Sequence, residues 1–421
     1  MTADYDPLSL AWRDDPYPCY RALRDTAPVQ WSPSTNAWCV SRYDDVMFVL
    51  RNPELFSSRA MFTFLMNNGN EGRPPLNWKV IRFLARFVWQ VRLNPFEFTT
   101  ARNLIAEDGE SHTAMRNIVN RGFTPRRISA WEARAQELVD QAMAKLRSGG
   151  SFDLVEDLAI PLPVTVIAEM LGVEAERHAD FKRWSDCIIS GITGTAEGMR
   201  PETLLQAFSE LSEYVTREIE QRRTQPREDL ITTLTRAGDG ETTLSPVEVM
   251  GFTLLLLVAG NETTTNLLGN AMLALLEHPD QLARVQQDPG LVPSLVEEAL
   301  RYDSPAQFVY RRATGDLELA GTSIPEGSTV MALIGSANRD EEQFPDGDRF
   351  DVARNPQGHL GFGVGIHFCL GASLARLEAR VTLEELLTRF HAFERMEPGV
   401  QYIDSYLVRG PRRLPLRFEV V

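Results

Sequence analysis

The sequence predicts a mainly α-helical protein with a minor β-sheet region, and two observations carry this prediction. Apolar residues recur at three- and four-residue spacing through most of 111–302, which is the period of an amphipathic helix. Short runs rich in β-branched and aromatic residues occur near both ends of the chain, within 28–60 and 305–421, and such runs are typical of strands.

The helical period is clearest in three segments, 125–147, 200–223 and 245–277. The longest apolar run, "VMGFTLLLLVAG" at 249–260, gives way to "NETTTN" well short of the roughly 20 residues that a bilayer requires. It therefore predicts a buried helix and no membrane span. The N-terminus is acidic and lacks the apolar core of a signal peptide, so we expect a cytoplasmic protein.

Strand-like runs lie at 37–43, 307–313, 328–334 and 414–421, which predicts small sheets assembled from distant parts of the chain. Between 338 and 360 turn-forming residues dominate and no periodicity is present, which predicts an ordered meander. This meander leads directly into a glycine-rich segment.

Composition limits the classes of function. With 421 residues, 43% of them hydrophobic, and no linker or low-complexity tract, the chain predicts one large domain over 1–421. A net charge of −15 disfavours nucleic-acid binding, because a phosphate backbone needs a basic surface. The four cysteines are scattered without a CxxC pair, which disfavours disulfides and zinc and favours a reducing compartment.

The glycine-rich segment "GFGVGIHFCLG" ends in a cysteine, Cys369, just before a predicted helix from about residue 370. Glycines allow a close approach to a flat partner, and a helix N-terminus stabilises a thiolate. Taken alone, Cys369 is either a soft anionic ligand or a buried free cysteine beside a helix start.

The same segment resembles the haem-binding signature of the cytochrome P450 family. Its matching residues are Phe362, Gly363, Gly365, His367 and Cys369. The resemblance covers nearly the whole chain and implies the triangular, mostly helical fold of that family. It also implies haem b as cofactor, with Cys369 as the thiolate ligand of the iron and with Phe362 and Gly363 in the loop under the macrocycle.

Glu298 and Arg301 lie three residues apart in "LVEEALRYDSPA", so their side chains can meet on one helix face. Without further context such a pair is typical of a solvated surface. It resembles the ExxR motif of the family, which implies that the pair joins Arg349 in "GDRFDV" and locks the meander beneath the haem.

A polar group interrupts the apolar helix at "AGNETT". Buried hydroxyls in helices often bond back to the preceding turn, and that is the structural alternative. The resemblance implies oxygen activation, with Glu262 as the acid and Thr263 as the alcohol of a proton relay. Thr264 is expected to be structural.

His112 and Arg116 share one helix face at i and i+4, which by itself is typical of a solvated helix. The resemblance assigns both to the haem propionates, together with Arg311 and His367. Arg311 is preferred over Arg312 because the family pattern is Arg, any residue, then a small apolar residue.

The resemblance implies a soluble bacterial-type monooxygenase that hydroxylates or epoxidises an apolar small molecule with dioxygen. We expect the substrate to be terpenoid, steroid, fatty acid or polyketide-like. No reductase domain is appended, so electrons would come from a ferredoxin or similar donor with its reductase. The alternatives are a peroxide-driven peroxygenase and a non-catalytic haem sensor, and the Glu262 and Thr263 pair disfavours both.

Two surface features remain. The segment 77–93, "NWKVIRFLARFVWQVRL", predicts a basic amphipathic helix that either caps the substrate pocket or lies on a membrane surface. We further expect five arginines to form a docking face for an acidic ferredoxin: Arg116, Arg121, Arg126, Arg376 and Arg380.

Overall fold

The computed structural model describes residues 6, 9–60, 101–146, 150–193, 201–236 and 244–420. The predicted segment 77–93 lies outside these residues. The described α-helices, in chain order from α1 to α15, are Leu10–Arg13, Tyr17–Thr26, Tyr43–Arg51, Gly109–Asn120, Pro125–Ala130, Glu132–Leu146, Pro161–Leu171, His178–Thr193, Pro201–Thr224, Leu230–Thr235, Pro246–Glu277, Pro279–Gln287, Val292–Tyr302, Ile334–Ala337 and Ala372–Arg389.

The described strands form three small sheets. In chain order from β1 to β10 they are Val29–Ser32, Ala37–Val40, Phe56–Ser57, Ser151–Asp153, Val309–Ala313, Leu317–Leu319, Thr322–Ile324, Thr329–Ala332, Phe390–Arg395 and Pro415–Val420. The largest sheet has the order β1-β2-β8-β5-β3, in which β2 and β8 are parallel neighbours. The others are β4-β10-β9 and the pair β6-β7.

The described residues form two compact units. The first comprises those within Met1–Ala60, Pro125–Pro163 and Glu262–Val421, and the second comprises those within Met61–Thr124 and Val164–Asn261. All three sheets belong to the first unit. The organisation of 1–421 as one domain stays a prediction.

The first unit is built around the largest sheet and helix α15. Val46, Val49 and Leu50 of α3 pack with Val330 and Ala332 of β8 in a buried apolar cluster. Helix α15 packs against α6 and α13. Helices α3 and α13 contact the cysteine segment near Gly365 and Gly361, and α15 begins directly after it.

In the second unit, α8 packs on α9 and α10 packs on both α9 and α4. Arg222 of α9 is buried and donates to Glu218 and Asp229, at 2.7 and 2.5 Å. Asp229 also caps α10 by accepting from the Thr232 N–H at 2.8 Å. The carboxylate of Asp229 therefore both pairs with Arg222 of α9 and acts as the N-cap of α10.

Helix α11 starts with a capping box. The Ser245 N–H donates to Glu248 Oε2 at 2.8 Å, and the Glu248 N–H donates to Ser245 Oγ at 3.3 Å. This reciprocal pair satisfies two amides that have no partner inside the helix. The apolar run 249–260 lies inside the helix, as predicted.

Most predicted elements occur where the sequence places them. Strands β2, β5, β8 and β10 lie within the four predicted runs, and no helix or strand is present over the described residues 338–360. The segment 125–147 differs, because the chain turns at Trp131 and forms α5 and α6 instead of one helix. None of the helices in the described part of the chain has the length and hydropathy needed to cross a membrane.

Candidate active site

The cysteine segment is a closed loop in front of α15. Gly363 and Gly365 have φ of +68° and +76°, in the left-handed region that favours glycine. A Cβ on Gly365 would also lie 3.0 Å from the Leu50 carbonyl oxygen at the end of α3. The Cys369 N–H donates to the Phe362 carbonyl at 2.9 Å and closes the loop.

The surroundings of Cys369 differ from those of a structural cysteine. Cys39 in β2 is fully buried, and burial raises the pKa of its thiol well above the usual range. Cys369 is only partly buried and lies three residues before the first residue of α15. An accessible sulfur at a helix N-terminus is suited to thiolate ligation.

The loop also presents apolar side chains to its surroundings. Ile366 and Phe368 are 36% and 41% exposed, although both are large and apolar. Exposed apolar groups around an accessible sulfur fit a flat, apolar group that lies on the loop. The donor set and the shape of this segment therefore fit a haem.

His367 contacts a residue that the sequence does not single out. Its Nε2 atom hydrogen-bonds to Ser58 Oγ at 2.8 Å, and Ser58 is completely buried. The predicted contact of His367 with a propionate stays a prediction. Ser58 follows β3 directly. To predict its contact with His367 from the sequence, one would have to know that β3 pairs with β5.

Strand β5 separates the two candidate arginines. Arg311 is buried and donates to the Tyr310 carbonyl at 2.8 Å, whereas Arg312 is half-buried and donates to the Gly327 carbonyl at 3.0 Å. A buried guanidinium needs polar partners more than a half-exposed one does. The two arginines therefore lie in different environments, and the choice of Arg311 stays a prediction.

Glu298 and Arg301 form a buried ion pair and not a solvated one. Two hydrogen bonds of 2.8 Å join the guanidinium to the carboxylate, and both side chains have no exposed surface. Arg301 also donates to three carbonyls of the meander, at Asn338, Gly347 and Arg349. The pair therefore holds the meander to α13.

Arg349 contacts the Glu298–Arg301 pair through its backbone and not through its guanidinium. Arg349 contributes its carbonyl, and its side chain is 63% exposed. Arg354 supplies the third charge, with Nε at 3.2 Å from Glu298 Oε1 and a side chain only 16% exposed. The reason is the turn at 351–353, which directs the later arginine back onto Glu298.

The polar residues in the middle of α11 include one with a structural hydrogen bond and two that are candidates for proton transfer. Thr265 Oγ1 donates to the Ala159 carbonyl at 2.9 Å, which is a structural bond. Glu262 is mostly buried, and burial raises its pKa to about 7. Thr263 follows it in the helix, and both belong to the first unit together with Cys369. A carboxyl of this pKa can both donate and accept a proton near neutral pH.

His112 and Arg116 lie one turn apart on α4, as predicted. His112 is buried, and Arg116 Nε donates to Asn120 Oδ1 at 3.1 Å. Both belong to the second unit, so their assignment to the propionates stays a prediction.

Sequence reasoning missed one further group beside the loop. Glu297 of α13 accepts from Arg376 of α15 and from His359 of the meander. Burial works in the opposite direction, but these hydrogen bonds lower the pKa of Glu297 to about 2. No local pattern marks this residue, because its two partners come from 62 and 79 residues away.

Comparisons with known proteins identify the family of the chain. Residues 86–416 match the family described as Cytochrome P450. The chain is 37% identical over 429 residues to 6-deoxyerythronolide B hydroxylase of Saccharopolyspora erythraea, covering 100% of each chain. The structure is similar to that of CYP109Q5 from Chondromyces apiculatus, with a TM-score of 0.86, 38% identity and 100% of each chain covered.

It is also similar to CYP109E1 from Bacillus megaterium in complex with corticosterone, with a TM-score of 0.82 and 35% identity over 97% of this chain and 99% of that one. The predicted mainly helical fold with its minor sheets is thus confirmed. The closed cysteine loop, the buried Glu298–Arg301 pair and these matches over almost the full length show that the chain belongs to the cytochrome P450 family of monooxygenases.

Proposed function

We propose that this chain uses electrons from separate donor proteins to insert one oxygen atom of dioxygen into an apolar small molecule, by hydroxylation or epoxidation. The observation that carries the proposal is Cys369, which is only partly buried and is held just before α15 in a loop with exposed apolar side chains. Free cysteines at 19, 39 and 187 support a reducing, cytoplasmic location.

The proposed cofactor is haem b. Cys369 would ligate the iron, and His112, Arg116, Arg311 and His367 would bind the propionates. A thiolate-ligated haem supplies the reductive activation of dioxygen. The loop from Phe362 to Cys369 would lie against the macrocycle, since its glycines carry no side chain there and its apolar residues are exposed. Burial of the propionates requires cationic partners, which these residues provide.

Glu262 and Thr263 are the proposed proton relay. The carboxyl of Glu262 has a pKa of about 7, so neither of its two protonation states is strongly disfavoured at neutral pH. Thr263 would hold a proton at its hydroxyl oxygen and pass it on to the reacting oxygen.

Thr263→Ala tests this relay. We expect the variant to consume reducing equivalents at a rate close to that of the wild type. Its product yield per electron pair should fall about tenfold, with hydrogen peroxide replacing product, because general acid assistance is lost. Thr264→Ser, which changes the neighbouring hydroxyl, is the control. An unchanged product yield in Thr263→Ala would rule out Thr263 as the alcohol.

The names of two relatives support a narrower proposal for the substrate. One relative is named as a 6-deoxyerythronolide B hydroxylase, and a solved structure of another contains corticosterone. We propose that a rigid polycyclic or macrocyclic molecule, steroid or polyketide-like, fits this chain better than a terpenoid or a fatty acid.

The proposed function is tested with the haem-loaded protein, corticosterone as a probe, and a ferredoxin with its reductase. The expected result is a shift of the haem spectrum on ligand addition and a product with one oxygen atom derived from dioxygen. Equal turnover with hydrogen peroxide alone would identify a peroxygenase. Ligand or gas binding without product from any apolar probe would identify a sensor.

A further inference from the structure

Glu297, His359 and Arg376 form a cluster beside the cysteine loop, and we call it the Glu297 cluster. Arg376 Nε and a terminal nitrogen lie 2.6 and 2.8 Å from the two carboxylate oxygens of Glu297. His359 Nε2 lies 2.9 Å from one of them. A bidentate, charge-assisted contact of this kind is strong and geometrically specific.

The histidine connects the cluster to the backbone of the loop. The Gly361 N–H donates to His359 Nδ1 at 3.1 Å, so Nδ1 is the acceptor nitrogen. Nε2 then carries the proton and donates to Glu297, which fixes the tautomer and the orientation of the ring. The carboxylate is thereby joined to the first residue of the glycine-rich segment.

The arginine connects the cluster to the aromatic side chain of the loop. The Arg376 guanidinium lies 4.5 Å from the centroid of the Phe362 ring, within the range of a cation–π contact. The His359 ring lies 6.2 Å from the same ring. The carbonyl of Phe362 accepts the N–H of Cys369 at 2.9 Å. One residue is therefore in contact with the cluster through its ring and with the cysteine through its backbone.

We propose that Glu297, His359 and Arg376 are positioning residues that hold Phe362 and, through its carbonyl, fix the backbone position of Cys369. The inference rests on the proposed function, since it concerns the ligand of the haem. The three residues act through Phe362. Loss of the cluster would free the loop, and the position of Cys369 would then be less firmly fixed.

The chain offers a matched control on the same helix. Arg389 at the end of α15 pairs with Asp140 and Glu385. Arg389→Gln removes an arginine ion pair from α15 but changes nothing in the Glu297 cluster. If Arg376 only stabilised α15, Arg389→Gln would have the same effect as Arg376→Gln.

The experiment uses the haem-loaded protein with Arg376→Gln, Glu297→Gln and Arg389→Gln. One measurement is the rate at which the reduced carbon monoxide complex loses the red-shifted band of thiolate ligation. The other is hydrogen exchange of the amides in 359–369. We expect both rates to rise about tenfold in Arg376→Gln and Glu297→Gln, as loss of a charge-assisted hydrogen bond predicts. Arg389→Gln should stay within about twofold of the wild type.

The outcomes separate the two proposals. A wild type without the red-shifted band would contradict the proposed function itself. A wild type with the band, and cluster variants that match Arg389→Gln in both measurements, would overturn the inference. Should Arg376→Gln not fold, Arg376→Lys replaces it, because lysine keeps the charge but loses the bidentate fork. Its rates should then lie above those of the wild type, and equal rates would overturn the inference.

Discussion

At the scale of single residues, three glutamates that are buried or largely buried show how the environment sets the pKa of a carboxyl group. Burial raises the pKa of Glu262 to about 7 and that of Glu378 to about 8. Glu297 is also buried, but hydrogen bonds from Arg376 and His359 outweigh its burial and bring its pKa to about 2. Only the first two can take up a proton near neutral pH, and of these only Glu262 lies in the proposed relay.

This difference predicts how stability depends on pH. The pKa of Glu262 is raised on folding, so the native state binds a proton more tightly than the unfolded state does. The stability that Glu262 contributes is therefore present below about pH 4.5 and is lost as the pH rises to about 7. Relative to the wild type, Glu262→Gln should gain up to about 3 kcal/mol between these values.

Urea unfolding between pH 4.5 and pH 8 checks this expectation. The exposed Glu110 provides the control, and Glu110→Gln should follow the wild type across the range. If the free energy of unfolding changed with pH in the same way for Glu262→Gln and the wild type, Glu262 would not lie in an environment that disfavours its charge.

At the scale of elements, buried charges of α13 hold the meander in addition to the backbone bonds of its own turns. Glu298 accepts from Arg301, Arg354 and the Asp351 N–H, while Arg301 donates to three meander carbonyls. Arg354 adds bonds to the carbonyls of 345, 346 and 349. A segment without helix or strand thus obtains part of its hydrogen bonds from a few charged side chains, and these satisfy backbone groups that its turns leave unpaired.

Arg354→Gln and Arg349→Gln form a matched pair that tests which arginine completes this cluster. Arg354→Gln removes a charge-assisted bond and several carbonyl contacts, so we expect a loss of about 2 kcal/mol in stability and weaker haem retention. Arg349→Gln removes an exposed side chain and should cost less than about 0.5 kcal/mol. Thermal unfolding of both variants decides, and equal losses would contradict the assignment.

The same elements show what the sequence predicts and what it does not. Helices such as α9 and α11, and strands such as β5 and β8, carry a local period, so their positions could be predicted. Three sets of contacts, by contrast, join segments that are distant in the sequence. They are those of Glu298 with Arg354, of Glu297 with His359 and Arg376, and of His367 with Ser58. No local pattern encodes such contacts, and the motif spacing alone pointed to Arg349.

At the scale of the whole molecule, the net charge of −15 and the proposed docking of an acidic donor must be reconciled. Arg376 is paired with Glu297, and Arg380 is paired with Glu132 and Glu384. Their charges are therefore partly neutralised. Arg126, by contrast, is exposed at the start of α5, so we propose that it contributes more to docking than either of them.

Electron transfer from an acidic ferredoxin should accordingly slow as salt is added, because screening weakens the attraction. Arg126→Gln should lower the second-order rate about threefold at low salt and reduce its dependence on salt. Arg395→Gln, at an exposed position on β9, is the control. Stopped-flow reduction at several ionic strengths measures this, and rates that rise with salt would place the donor elsewhere.

The central claim is that Cys369 is the thiolate ligand of a haem, and the spectrum of the reduced carbon monoxide complex tests it most directly. The wild type should show the red-shifted band that thiolate ligation produces, whereas Cys369→Ser should retain some haem but lose the band. Cys39→Ser, at the buried cysteine of β2, should keep it. A band that persists in Cys369→Ser, or that is missing from the wild type, would contradict the claim.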